Sequence, residues 1–347
     1  MVEWRELQKE MKVLRGKRLT KSLLDENASY PVFHGGIEPL GRFSEYNRDE
    51  NTVMVINVGA SAGTVGFCNS RFWSSDGCFC ISHSNRINSR FLYYFMLGKT
   101  HYLQSQVRYA GIPTLDNSVI EKILIPIPTL SEQTRIVGIL DTFTASIENL
   151  KQQIAERRKQ YEYYRDQLLD LEGKEGVEMK KISDIAKVLR GKRLTKNLLD
   201  ENAPYPVFHG GIEPLGRYGQ YNRDANTVMV INVGASAGTV GFCDSKFWSS
   251  DGCFCISHSE IMNDKYLYYY METKTHYLQS QVRHAGIPTL DNPVVEKVLV
   301  PILSLQEQQR IVSILDTFEA SIANLEAQLK EREKQYEYYR NKLLTFE

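Results

Sequence analysis

The sequence predicts an α+β protein of two globular domains with curved β-sheets. Each domain is followed by a long helix, and the two helices form an antiparallel coiled coil with pseudo-two-fold symmetry. Three observations predict this: a long internal repeat, a change of texture inside each repeat, and an apolar seam at heptad spacing. The chain has 347 residues, more than one ordinary domain needs, and a formal net charge of zero. A nucleic-acid surface on such a chain must be a local patch and not a global field.

The repeat is read first. VLRGKRLTKSLLDENA starts at Val13, and VLRGKRLTKNLLDENA starts at Val188. Aligned without a gap, residues 13–172 and 188–347 differ at 38 of 160 positions. A solenoid unit runs ~20–50 residues, so this is a duplicated domain and not a solenoid. The joint, LEGKEGVEMKK from Leu171 to Lys181, is rich in Gly and charge and reads as a linker. The expected division is residues 1–130 and 173–305 for the globular domains, the second with its linker. Residues 131–172 and 306–347 are the helices.

Within each repeat the first part is mixed. TVMVINVG, Thr52 to Gly59, is rich in β-branched residues, and Gly59, Gly63 and Gly66 follow closely. FWSSDGCFCIS continues as short apolar runs broken by Ser, Asp and Gly, the pattern of a curved sheet with tight turns. Asn88 to Val107, with apolar residues at 91, 92, 95, 96 and 103, reads as a helix or two. Pro126, Pro128 and Pro301 stand as stops before the long helices.

The long helices are read from spacing. Ile136, Leu140, Phe143, Ile147, Leu150 and Ile154 step by four and three, and Arg157, Tyr161, Tyr164 and Leu168 continue the series. The second copy repeats it with Ile311, Leu315, Phe318, Ile322, Leu325, Leu329, Arg332, Tyr336, Tyr339 and Leu343. The seam is ~50 Å long at ~1.5 Å per residue. One apolar stripe needs a partner, and the other seam matches it in length. A compact domain has its ends close together, so the second helix should run back along the first. Coiled-coil dimers between separate chains are the alternative. Arg157 and Arg332 interrupt the seam and are expected to fix register by pairing with a carboxylate. Tyr161 and Tyr164 belong to the expected core. Tyr163 lies off the seam and is a candidate partner contact.

The candidate binding residues are those that suit DNA. Arg15, Lys17 and Arg18 surround Gly16, and Lys21 follows; their counterparts are Arg190, Lys192, Arg193 and Lys196. A flexible cationic loop suits phosphate contact, and two like modules related by a two-fold can read inverted half-sites. His34 and Arg42, with His209 and Arg217, flank a Gly-Gly turn that can approach DNA closely; the arginines suit guanine. Ser61 and Thr64, with Ser236 and Thr239, are candidates for phosphate. Gln104, Gln106 and Arg108, with Gln279, Gln281 and Arg283, are candidates for bases or phosphates. Across Gln104 to Asn117 the copies differ only at Tyr109 against His284. A loop packed on its own domain is the bland alternative for each.

Catalytic motifs are missing. The sequence has no G-x-x-x-x-G-K-[ST], no G-x-G-x-x-G after a strand, and no Asn/Asp-Pro-Pro-aromatic motif for a flipped base. Base chemistry is therefore left to a partner. Cys68, Cys78 and Cys80, with His83, and Cys243, Cys253 and Cys255, with His258, have the composition of a zinc donor set. A Cys-x-Cys spacing in a strand suits small buried residues better, so no metal and no cofactor are expected. Three cysteines per half argue against disulfides and suit a reducing cytosol. No apolar run approaches 18 residues and no signal core opens the chain, so a cytoplasmic protein without a membrane span is expected.

IPIPTLSEQTRIVGILD, Ile125 to Asp141, and VPILSLQEQQRIVSILD, Val300 to Asp316, each follow a globular domain and open a long helix. In this the chain resembles the specificity subunits of type I restriction–modification systems, over nearly its whole length. The resemblance implies two target recognition domains that read a bipartite double-stranded DNA sequence across a gap. It implies no chemistry of the subunit's own. It also implies helices that hold two adenine methyltransferase (modification) subunits, with restriction (nuclease and translocase) subunits joining them. In that family the two domains usually differ strongly; here they do not, so a near-palindromic gapped target is expected. A coiled-coil scaffold whose end domains bind protein is the alternative, and a zinc hydrolase on the Cys/His clusters a more distant one.

Overall fold

In the computed structural model, which describes residues 2–346, the chain divides into two compact units. One holds the residues up to Gln152 together with those from Ala327 on; the other is Gln153–Glu326. Each unit contains one globular domain and a half of each long helix.

The first domain opens with β1 (Glu3–Glu6), α1 (Leu7–Glu10), β2 (Val13–Arg15), β3 (Tyr30–Phe33) and β4 (Gly41–Phe43). It continues through β5 (Thr52–Ile56), β6 (Val65–Cys68), β7 (Trp73–Ser74) and β8 (Cys78–Ile81). Then come α2 (Ser89–Gly98), α3 (Thr100–Ser105), α4 (Asn117–Glu121), β9 (Leu124–Ile127) and the long α5 (Leu130–Leu169). The strands make a four-stranded sheet β2-β8-β5-β6, a three-stranded sheet β4-β3-β7 and the pair β1-β9.

β5 explains the core. All five residues of TVMVI are buried. Alternation sends Val53 and Val55 into a cluster with Phe91, Leu92 and Phe95 of α2. Met54 and Ile56 go the other way, to Phe33, Phe72, Cys78 and Cys80. A strand covered on both faces reads as a continuous apolar run, which is how this one looks in sequence. The segment after Ile87 forms two helices. Asn88 caps α2 by accepting from the N–H groups of Arg90 and Phe91, and Lys99 separates α2 from α3.

The second domain repeats this order. Its elements are β10 (Glu178–Lys181), α6 (Ile182–Ile185), β11 (Val188–Arg190), β12 (Tyr205–Phe208), β13 (Gly216–Tyr218), β14 (Thr227–Ile231) and β15 (Val240–Cys243). β16 (Trp248–Ser249), β17 (Cys253–Ile256), α7 (Asp264–Thr273), α8 (Thr275–Ser280), α9 (Asn292–Glu296), β18 (Leu299–Ile302) and α10 (Leu305–Leu344) complete it. Its sheets run β11-β17-β14-β15, β13-β12-β16 and β10-β18.

Two expectations are corrected here. Pro126 and Pro301 do not merely precede a helix. They lie in strands, paired with Trp4 and Met179 in two-stranded sheets, where a missing N–H is tolerated at an edge. Also, the last four residues of the expected linker are β10, because the strand ahead of α10 needs a partner for its backbone. The structural repeat thus begins at Glu3 and Glu178, before the recognisable sequence repeat.

Within each unit the long helices run antiparallel, as expected. In the first, Ile136 and Leu140 near the start of α5 share a core with Leu344 at the end of α10. In the second, Ile311 and Leu315 near the start of α10 share one with Leu169 at the end of α5. Each helix has 40 residues, ~60 Å at ~1.5 Å per residue. Ile147 and Ile154 are also buried, whereas Phe143, Leu150, Phe318, Ile322, Leu325 and Leu329 are half-buried.

The polar interruption is resolved by aromatic rings and not by carboxylates. The Arg332 guanidinium lies 5.8 Å from the Phe143 ring, and Arg157 lies 5.8 Å from Phe318. Among the described residues neither arginine has an ion pair, since the group facing it is a phenyl face. Tyr339 stacks on Phe143 and Tyr164 on Phe318, both at 5.4 Å. These tyrosines are 41% and 45% exposed, so they cover the seam from its rim and are not core. Tyr163 and Tyr338 point away, 59% and 58% exposed.

Candidate nucleic-acid interface

The cationic segment is held by its backbone. Gly16 follows β2 against the turn after β7, where an added Cβ would overlap the carbonyl oxygen of Ser75. Lys17 N–H donates to Ser74 O at 2.9 Å, and Trp73 Nε1 donates to Lys17 O at 2.8 Å. Arg48 Nη2 donates to Arg15 O at 2.7 Å. The second copy repeats each bond, with Trp248 on Lys192 and Arg223 on Arg190. The flexible loop expected from the sequence is therefore an anchored one. Its side chains remain free for solvent: Arg15, Lys17, Arg18 and Lys21 are exposed, as are Arg190, Lys192, Arg193 and Lys196.

The other candidates join this segment through a chain of short contacts. Ser75 N–H donates to Phe33 O at 2.9 Å, and beside it Gly77 N–H donates to His34 Nδ1 at 3.2 Å. Asp76 Oδ1 lies 3.3 Å from the same His34 nitrogen. Asn57 N–H reaches Gly77 O at 3.2 Å, and Gly59 N–H reaches Pro113 O at 2.9 Å. The Gly59–Thr64 turn packs on α3, since a Cβ on Gly63 would meet the backbone of Gln104. The segments carrying Arg15, His34, Ser61 and Gln104 are thus one contiguous stretch of surface, and His209, Ser236 and Gln279 hold the same places in the second domain.

Within that stretch the candidates differ in freedom. Gln104, Gln106 and their counterparts Gln279 and Gln281 are exposed; Ser61, Thr64, Ser236 and Thr239 are half-buried. Arg42 is engaged with its own domain: its guanidinium donates to the carbonyls of Ala28 and Ser29, and Arg217 to those of Ala203 and Pro204. Base reading by these arginines would require those bonds to be exchanged. Arg108 pairs with Asp116 at 3.1 Å, and Arg283 with Asp291 at 2.7 Å. The Asp116 carboxyl is held below the ordinary range, first by the N–H of Ser118 at the start of α4 and then by Arg108.

Some contributors were missed in sequence. Arg48 and Trp73 hold the cationic segment from behind. Ile112 and Ile287, each 71% exposed, stand at the tip of a loop closed by the backbone pair Arg108–Thr114 and its counterpart Arg283–Thr289. Tyr109 beside Ile112 is 72% exposed. The available signal was identity between the copies: Tyr-Asn-Arg-Asp recurs at 46–49 and 221–224. The cysteines face the second apolar cluster of each domain. Hydrogen bonding to the Cys80 sulfur, then burial, pushes the Cys78 thiol well above its ordinary range and keeps it a neutral packing group. Among the described residues no group of His, Cys, Asp and Glu is placed to hold a metal, and no helix is long and apolar enough to cross a membrane.

The IPIPTLSEQTRIVGILD motif also acquires a physical meaning. Asp141 accepts from the Tyr94 hydroxyl and from Arg90 Nε, the latter at 2.9 Å, which fixes α5 to α2. In the second copy Asp316 accepts from Tyr269 at 2.6 Å.

Comparison with known proteins adds the family. The model of the type I restriction modification DNA specificity domain matches residues 2–157 and again 174–334. A Haemophilus influenzae protein named as a putative type I restriction enzyme specificity subunit is 28% identical over 383 residues, covering 99% of this chain and 96% of its own. The Escherichia coli EcoR124I/EcoR124II specificity subunit is 32% identical over 261 residues, 65% of this chain and 63% of its own. The crystal structure of a type I restriction–modification S subunit from M. genitalium superposes with a TM-score of 0.77 at 20% identity, covering 100% of this chain and 97% of that one.

Proposed function

From the premise that the chain belongs to the type I restriction modification DNA specificity family, carrying its domain twice, we propose that it recognises DNA for a restriction–modification complex without catalysing the reaction. In this reading each globular domain binds one half of a bipartite double-stranded site. The near identity of the copies supports alike half-sites. The antiparallel course of α5 and α10 within each unit supports their inversion, and hence a gapped near-palindrome. Arg15, Lys17, Arg18 and Lys21, with their counterparts, neutralise phosphates. Gln104, Gln106 and the loop of Tyr109 and Ile112 approach bases. The half-sites differ, if anywhere, where Tyr109 is replaced by His284.

The partners in this reading are two adenine methyltransferase subunits held along the helices, with restriction subunits added to them in the cytoplasm. Exposed Tyr163 and Tyr338 belong to that contact. The observation that carries the proposal is the doubled family match in a chain whose two domains expose the same anchored Arg-Gly-Lys-Arg segment. The test is footprinting of the chain, purified with its cognate methyltransferase subunits, on a random DNA library. Protection of two short blocks separated by unprotected bases supports the reading. Absence of sequence-selective protection contradicts it and favours a protein-binding scaffold.

A further inference from the structure

The two copies present nearly the same apolar seam, so the seam alone does not say which copy should pair with which. Phe143, Ile147, Leu150, Tyr161 and Tyr164 recur unchanged as Phe318, Ile322, Leu325, Tyr336 and Tyr339. Within the seam the copies differ only at Ile154 against Leu329, so an electrostatic preference must come from residues beside it that differ between the copies. Two such positions have exchanged charge together. Lys151 and Arg158 in α5 correspond to Glu326 and Glu333 in α10, at the same offset of 175 residues.

The structure sets these positions opposite one another crosswise, one as an ion pair and one across a cleft. In the second unit Arg158 Nη2 meets Glu326 Oε1 at 2.5 Å. In the first unit Lys151 and Glu333 line one cleft, which α2 also borders through Tyr93 and Tyr94. There the Lys151 ammonium contacts Glu148 of its own helix at 3.1 Å, with Glu333 across the cleft. Each unit thus sets a base from the first copy facing an acid from the second. Were the first copy to pair with another first copy in the same antiparallel geometry, Lys151 would face Arg158 twice. Were the second to pair with another second, Glu326 would face Glu333 twice.

We propose that this reciprocal exchange is a partner-selection device: along the helices it favours a first copy beside a second copy and disfavours like beside like. The partner this surface fits is therefore the other repeat, not an equivalent repeat of a second chain. Without it, two chains with near-identical seams have a competing arrangement in which like helices exchange, the usual hazard of repeated pairing elements.

The test keeps the whole chain and its composition. In Lys151→Glu/Glu326→Lys, the Arg158–Glu326 ion pair and the Lys151 and Glu333 positions across the cleft both become like-charged, while both like-with-like pairings, available only between two chains, become attractive. Adding Arg158→Glu/Glu333→Arg makes every cross-copy pair attractive again with its signs reversed. At low salt the first variant should lose about 2–4 °C of melting temperature, gain a larger dimer fraction by sedimentation velocity than the parent, or both. The fourfold exchange should restore the parental dimer fraction and most of the melting temperature, short of the Lys151–Glu148 contact that both variants remove, and ~1 M salt should shrink the differences. A first variant that matches the parent in both readouts at low salt, or a fourfold exchange that recovers neither, would overturn the proposal. DNA enters none of these measurements, so their outcome is independent of the function proposed above.

Discussion

The side-chain oxygen of Gln133 accepts a hydrogen bond from the backbone N–H of Asn88 at 2.7 Å. The same carboxamide donates to Arg86 O and Pro128 O, both at 2.9 Å, and the residue is fully buried. One side chain so joins the start of α5 to the cap of α2, and Gln308 repeats the arrangement at Asn263. Gln133→Ala should cost ~2–4 kcal/mol, because it strands buried polar partners. Denaturant midpoints check this, and Gln308→Ala should behave alike.

Two glycines make a contrasting pair. Gly16→Ala forces a methyl group into the Ser75 carbonyl and displaces the cationic segment, so it should lower stability by ~1–3 kcal/mol and DNA affinity with it. Gly138, within α5, has nothing within 4 Å of an added Cβ. Gly138→Ala should raise stability by ~0.5–1 kcal/mol through helix propensity. Thermal unfolding of both variants, with DNA binding measured in parallel, checks the pair.

Arg15 and Arg190 are exposed and have backbones anchored by Arg48 and Arg223. Changing both to Ala should leave melting nearly unchanged and weaken binding across all sequences. The slope of log affinity against log salt should fall by ~1.8, about 0.9 for each phosphate that is no longer neutralised. Titration at several salt concentrations reads this directly.

Stability should fall on the alkaline side. Burial, and then a hydrogen bond to Asp141, raises the Tyr94 hydroxyl well above its ordinary value of 10. Burial likewise raises Tyr266 and Tyr268, and for Tyr269 burial is joined by the bond to Asp316. Unfolded, these groups lose their protons near pH 10; folded, they keep them. Their contribution is complete below that pH and is lost as pH rises beyond it. Urea midpoints should therefore hold from about pH 8 to 9 and drop above about pH 10, with tyrosinate absorbance appearing as the protein unfolds.

Much of the fold was readable because repetition and period survive in sequence. The heptad steps from Ile136 onward placed the long helices, and β-branched TVMVI placed the central strand. What was hidden depended on partners remote in sequence. Glu3–Glu6 is polar and carries no alternation; it is a strand because Leu124–Ile127 lends it backbone bonds. Arg157 promised a carboxylate, yet an aromatic ring from the other helix faces it. For the candidate site, residue type was legible and commitment was not. Arg15 and Arg42 look equally available in sequence, but Arg42 is tied to Ala28 and Ser29.

The most direct test of the central claim is to map modified adenines in DNA exposed to the chain together with its cognate methyltransferase subunits. The account predicts one methylated adenine in each half of a gapped site whose halves are alike and inverted. Two unrelated half-sequences, or a single uninterrupted target, would contradict it.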